Sequence, residues 1–136
     1  MKMPINSRSK GKTAERELIN ELTPLLPFLK LERNLDQTRE GGYDIKGMGQ
    51  WAAEVKRYKV IKPGDFKRFW TQTLEQARSD RKLPALFMRE DNREWVVVVR
   101  LHDVMVDCEM ECDDWLTCQV SLAGFVHVYK ANNWEI

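Results

Sequence analysis

Apolar residues change their spacing several times along this chain, and each change marks an element. Ala14, Leu18, Ile19 and Leu22 recur at helical intervals, so a helix is predicted from about Gly11 to Leu22, stopped by Pro24 and Pro27. Lys30–Asp36 alternates and reads as a strand. Tyr43–Lys46 and Trp51–Arg57 read as two more, joined through Gly47-Met48-Gly49 into a hairpin. Pro63-Gly64-Asp65 then opens a second helix, whose buried stripe is Phe66, Phe69, Trp70, Thr73, Leu74 and Ala77. Leu83–Arg89 and Glu94–Arg100 are strands across an Asp91-Asn92-Arg93 turn, and Trp95–Val99 is apolar enough to be buried on both faces. From Leu101 to Cys118 the pattern weakens to a short helix and a loop, and Gly124–Tyr129 suggests a small strand. The order α-β-β-β-α-β-β with an irregular tail implies one mixed sheet carrying helices, an α/β architecture.

The phase of the first helix sets one residue apart. At 100° per residue, Leu18, Ile19 and Leu22 fall within about 60° of Glu15, while Glu17 lies about 200° round, on the side expected to face solvent. A carboxylate inside an apolar arc is costly unless something satisfies it. Either Glu15 belongs to a metal or basic cluster, or it sits at the rim of the stripe paired with an arginine.

The predicted hairpin holds a second carboxylate pattern. Asp44 follows a Gly-Gly-Tyr turn, and Glu54-Val55-Lys56 follows ten positions later, so the chain reads D-x9-E-x-K. Residues two apart in a strand share a face, so Glu54 and Lys56 project together while Val55 points the other way. Two carboxylates can hold a hard divalent cation, and a neighbouring ammonium can orient a water against a phosphate. Alone, the pattern more often marks a surface Glu-Lys pair than a site.

With 136 residues, 43% of them hydrophobic, the chain fits one compact domain: a flexible basic arm at 1–10 and a single domain over 11–136, with an acidic extension from about 101. The net charge of +1 conceals an asymmetry. Residues 1–100 hold 21 Lys and Arg against 14 Asp and Glu, and residues 101–136 hold one against seven. The part carrying the D-x9-E-x-K pattern is therefore basic, as a phosphate-binding surface should be. No stretch is long and apolar enough to cross a bilayer, and MKMPINSRSKGK lacks the apolar centre of a secretory signal, so no membrane association is expected. Cys108, Cys112 and Cys118 form no disulfide framework and lack paired zinc-knuckle spacing, which favours free thiols in a reducing cytoplasm.

Lys10-Gly11-Lys12-Thr13-Ala14-Glu15-Arg16-Glu17-Leu18 resembles the opening K-G-x-x-x-E-R-E-L of the archaeal Holliday-junction resolvases and their phage relatives, within the PD-(D/E)XK nuclease superfamily. The likeness continues through Arg33, the loop to Gly42, Asp44-Ile45 and Glu54-Val55-Lys56, and covers about residues 8–100. The segment between Arg33 and Asp44 is longer than in the archaeal proteins, and the tail after Arg100 has no counterpart. The resemblance implies a restriction-endonuclease-like fold with a central mixed β-sheet flanked by helices. It implies Mg²⁺ or Mn²⁺ held by Asp44, Glu54, the Val55 carbonyl and Glu15. The catalytic set would be Glu15, Asp44, Glu54 and Lys56. Arg16 and Arg33 would hold phosphates, Arg39, Arg57 and Lys59 would track the DNA backbone, and Gln72 would be an auxiliary group. The expected activity is cleavage of four-way DNA junctions by a homodimer in a bacterial or phage-infected cell. The other readings are a nuclease for other branched or duplex DNA, or a non-catalytic DNA-binding module of the same fold.

Overall fold

The computed structural model describes residues 7–35, 42–105 and 113–132. Thr38, Arg39, Cys108 and Cys112 lie outside the described residues. In chain order the elements are α1 (Ser7–Leu22), β1 (Glu32–Arg33), β2 (Ile45–Lys46), β3 (Trp51–Tyr58), α2 (Pro63–Asp80), β4 (Leu83–Glu90), β5 (Val96–Arg100), α3 (Leu101–Val104), β6 (Thr117–Ser121) and α4 (Leu122–Asn132). They build one six-stranded sheet in the order β1-β2-β3-β4-β5-β6. Only β3 and β4 run parallel; the other neighbours are antiparallel. A parallel pair needs a long crossover, and α2 supplies it.

Alternation along β3 divides the molecule into two cores. Trp51, Ala53 and Val55 join Leu18 and Leu22 of α1 and Phe125, Val126 and Tyr129 of α4. On the other face, Phe69 and Trp70 of α2 pack with Leu86, Met88 and Val98. Glu54 and Lys56 are register partners of Leu86 and Met88, so both lie on the α2 face. At the hairpin between β2 and β3, Gly47 has φ +94°, and a Cβ there would fall 2.1 Å from the Lys30 carbonyl oxygen. That contact admits only glycine. Pro63 opens α2 as its sequence predicts, with the Lys62 N–H donating to Asp65 Oδ2 and the Asp65 N–H to the Lys62 carbonyl, both at 3.0 Å.

Several boundaries differ from the sequence reading. The first helix begins at Ser7 rather than Gly11, taking in the end of the predicted arm. The strand expected over Lys30–Asp36 shortens to Glu32–Arg33, and the one expected from Tyr43 starts at Ile45. Residues 34 and 44 are bound by single backbone contacts, Asn34 N–H to the Asp44 carbonyl and Asp44 N–H to the Ala53 carbonyl, both 2.8 Å.

Among its described residues the tail is not irregular. Thr117–Ser121 pairs along β5, and the strand expected over Gly124–Tyr129 is instead part of helix α4. Phe-Val-His-Val-Tyr alternates like a strand, but the residues buried are Phe125, Val126 and Tyr129, a helical spacing. Phe125 meets Trp51 and Phe87 edge-on, with centroids 5.3 and 5.1 Å away. The Ser121 hydroxyl accepts the Gly124 N–H at 3.0 Å, a helix-start signal present in the sequence. Part of the tail's acidity is consumed internally. Asp103 and Asp114 both accept from Arg100, at 2.7 and 2.9 Å, and the Asp114 carbonyl accepts the Trp70 indole N–H.

Glu17 does not face solvent as its helical phase suggests. It is half-buried between Arg57 and Arg89, which sit side by side as register partners on β3 and β4. Two guanidinium groups on adjacent strands need an anion between them, and α1 brings one. That need was invisible without the β3–β4 register. Glu17→Gln is therefore expected to destabilise the fold by about 1–2 kcal/mol. Urea unfolding checks this, and an unchanged midpoint would refute it.

Candidate active site

The site opens where β2 leaves β3. Ile45 pairs with Ala53, but the chain upstream of Asp44 bends away from the strand. The next N–H along β3, that of Val55, donates instead to the Asp44 side chain, at 2.8 Å to Oδ2. Asp44 thus continues the ladder with a carboxylate where a backbone carbonyl would stand. Its approach is fixed from behind. Asn34 is buried and donates from Nδ2 to the Tyr43 carbonyl at 2.8 Å, and the Gln76 side-chain oxygen of α2 accepts the Gly42 N–H.

Glu54 is only 1% exposed, and its carboxyl lies within hydrogen-bonding reach of Asp44. Its Oε1 has no partner among the described residues. Burial, and then the neighbouring Asp44 charge, push the Glu54 carboxyl up to about 9. Burial also raises Asp44, to about 6, with the Val55 N–H and Lys56 opposing and Glu15 adding to the rise. Two buried carboxyl groups against each other with an orphaned oxygen are a site short of positive charge. That is the donor chemistry a hard divalent cation satisfies.

Glu15 reaches this pair from α1. It is 7% exposed, and its charge acts on both Asp44 and Glu54. Its Oε2 accepts from Arg33 Nε at 2.8 Å. Of the alternatives raised by the helical phase, the pairing with an arginine is the one observed, although Glu15 is buried rather than at an exposed rim. Among the described residues no group of three or more His, Cys, Asp and Glu side chains is arranged to hold a metal ion. The donor set in place is the Asp44–Glu54 pair, with Glu15 engaged by Arg33.

Lys56 shares the face of Glu54, and its Nζ lies 5.3 Å from the Phe69 ring centroid. Of the remaining residues singled out in the sequence, Arg16 and Lys59 are exposed. Arg33 is engaged by Glu15. Arg57 is engaged by Glu17 and lies on the α1 face, opposite Glu54. Gln72 is half-buried on α2, one turn after Phe69, and Gln76 makes the contact with the loop end. Asn34, Gln76 and Phe69 were not read as site residues. Asn34 fell inside the strand predicted over Lys30–Asp36, Phe69 counted as part of the buried stripe of its helix, and Gln76 carried no signal of its own.

Residues 6–126 match the model of the family described as “Phage putative PDDEXK endonuclease”. The chain belongs to this family. Its fold matches the solved structure of Hjc from Archaeoglobus fulgidus, a Holliday junction resolvase from an archaeal hyperthermophile. The TM-score is 0.52 at 16% sequence identity, over 85% of this chain and 97% of that one. No curated protein matches the chain in sequence. The PD-(D/E)XK endonuclease is thus a mixed six-stranded sheet flanked by helices, with the fold of a resolvase. Among its described residues no helix is long and apolar enough to cross a membrane.

Proposed function

We propose that the protein is a divalent-cation-dependent DNA endonuclease that resolves four-way junctions as a homodimer. The observation that supports this most is the crowded Asp44–Glu54 pair with Lys56 on the same face of β3. Asp44, Glu54 and the Val55 carbonyl would hold Mg²⁺ or Mn²⁺, which when bound supplies Lewis-acid polarisation of the phosphate and a more acidic water. Lys56 orients the attacking water and stabilises charge that develops on the phosphate. Glu15, held by Arg33, would complete the metal or water shell. Arg16 and Lys59, both exposed, would neutralise backbone phosphates, Arg39 is a further candidate DNA contact, and Gln72 is a candidate auxiliary. The products carry 5′-phosphate and 3′-hydroxyl ends. The work would take place in the cytoplasm of a bacterial or phage-infected cell.

A junction has two-fold symmetry and needs two nicks, which suits an isologous dimer with one site per protomer. The test is cleavage of labelled four-way junction, duplex and single-stranded DNA with and without Mg²⁺. Paired nicks at junctions in preference to duplex are expected, and mixing wild-type with Asp44→Asn protein should leave singly nicked junctions. Equal cutting of duplex and junction would instead make this a general DNA nuclease. Metal-dependent cleavage of nothing at all, with junction binding retained, would make it a binding module.

A further inference from the structure

We propose that Phe69 is a positioning residue that fixes the ammonium of Lys56 in the cleavage site. The inference rests on Lys56 belonging to the cleavage machinery. A strand position sets only the direction of a lysine's Cβ. The four-carbon stem leaves the charge free to wander unless something holds it. Among the described residues no carboxylate lies within salt-bridge distance of Lys56, so an ion pair does not do this. The Phe69 ring does: Nζ sits 5.3 Å from its centroid.

The ring is fixed independently of the lysine. Phe69 is 2% exposed and packs in the second core with Trp70, Leu86, Met88 and Val98. Tyr58 stacks on it with centroids 5.0 Å apart and an interplanar angle of 29°. A second cation, the Arg68 guanidinium, lies 5.1 Å from the centroid, so the ring's negative face potential is in use at this end of α2. The arrangement also has a chemical logic. An aromatic face holds a cation without offering an anion, so Lys56 is steadied beside Asp44 and Glu54 without a third carboxylate competing for metal or proton.

The test is to vary the ring's electrostatics at constant shape. Phe69 is replaced by phenylalanines carrying one, two and three ring fluorines, and kcat and KM for cleavage are measured on the full chain with Mg²⁺. A graded fall in kcat reaching about tenfold is expected, with KM unchanged within about twofold. Phe69→Leu should lose kcat similarly, and Phe69→Tyr should restore it. A kcat independent of fluorine content overturns the proposal, as does a loss carried by KM alone. Because the fluorinated series keeps the packing, the result stands even if Phe69→Leu does not fold. Lys56→Ala is the separate control. If it retains cleavage, the assignment of Lys56 fails. If it is inactive while the fluorinated series is not impaired, only the role of Phe69 fails.

Discussion

Asp44→Asn, Glu54→Gln and Lys56→Ala are each expected to reduce DNA cleavage by about 10³-fold or more while DNA binding stays within a few-fold of wild type. On the proposed function, affinity for DNA would come mainly from neutralising phosphates at exposed basic groups such as Arg16 and Lys59, which these changes leave alone. On the proposed mechanism the three side chains act on the reacting phosphate and its water, so their loss would fall on the chemical step. Glu15→Gln should be intermediate, because Arg33 already holds one of its oxygens. Single-turnover assays with Mg²⁺, paired with gel-shift affinities, separate the two quantities. Cleavage close to normal from either the Asp44 or the Glu54 variant would remove this site from consideration.

The same carboxylates should make the metal-free protein less stable as pH rises. Both groups have folded-state values above their ordinary ones, Glu54 going from 4.5 to about 9 and Asp44 from 3.8 to about 6. Between those limits the folded chain retains protons that the unfolded chain has released, so stability falls as pH climbs from about 4 towards 9. Glu54→Gln removes the larger part of this. At pH 8 without divalent metal the variant should be more stable than wild type by on the order of 1–3 kcal/mol, and the gap should close near pH 5. Adding Mg²⁺ should stabilise the wild type and leave the variant little changed, since a cation that binds only the folded site adds stability by mass action. Thermal melts at several pH values, with and without Mg²⁺, read all of this. A variant no more stable than wild type at pH 8 would mean that Glu54 is not strained in the fold.

What could be read in advance divides along a physical line. Local pattern was enough for α2, since Pro63, Asp65 and its apolar stripe all lie within one segment. The same holds for the hairpin that carries Asp44 and Glu54, where two glycines mark the turn. The burial of Glu15 followed from helical phase alone. Glu17 failed because its environment is made by Arg57 and Arg89, whose adjacency depends on parallel pairing across an intervening helix. α4 failed because a β-like alternation was outweighed by the fit of Phe125 between Trp51 and Phe87, a tertiary contact. The contacts of Gln76 with Gly42 and of Phe69 with Lys56 were missed for the same reason: each needs a partner from another part of the chain.

The hydrogen bond from Val55 N–H to Asp44 gives position 44 two duties, and they constrain its drift differently. If a descendant of this protein lost the need to cut DNA, selection on the chemistry would lapse at both 44 and 54. Glu54 could then become an apolar residue, which its buried surroundings would welcome. Position 44 would still have to offer an oxygen to the exposed rung of β3, so Asn, Ser or Thr would be kept there and Ala or Leu avoided. A decayed lineage should therefore be recognisable by an asymmetric scar: an acceptor conserved at the bend and a hydrophobic residue where the second carboxylate had been.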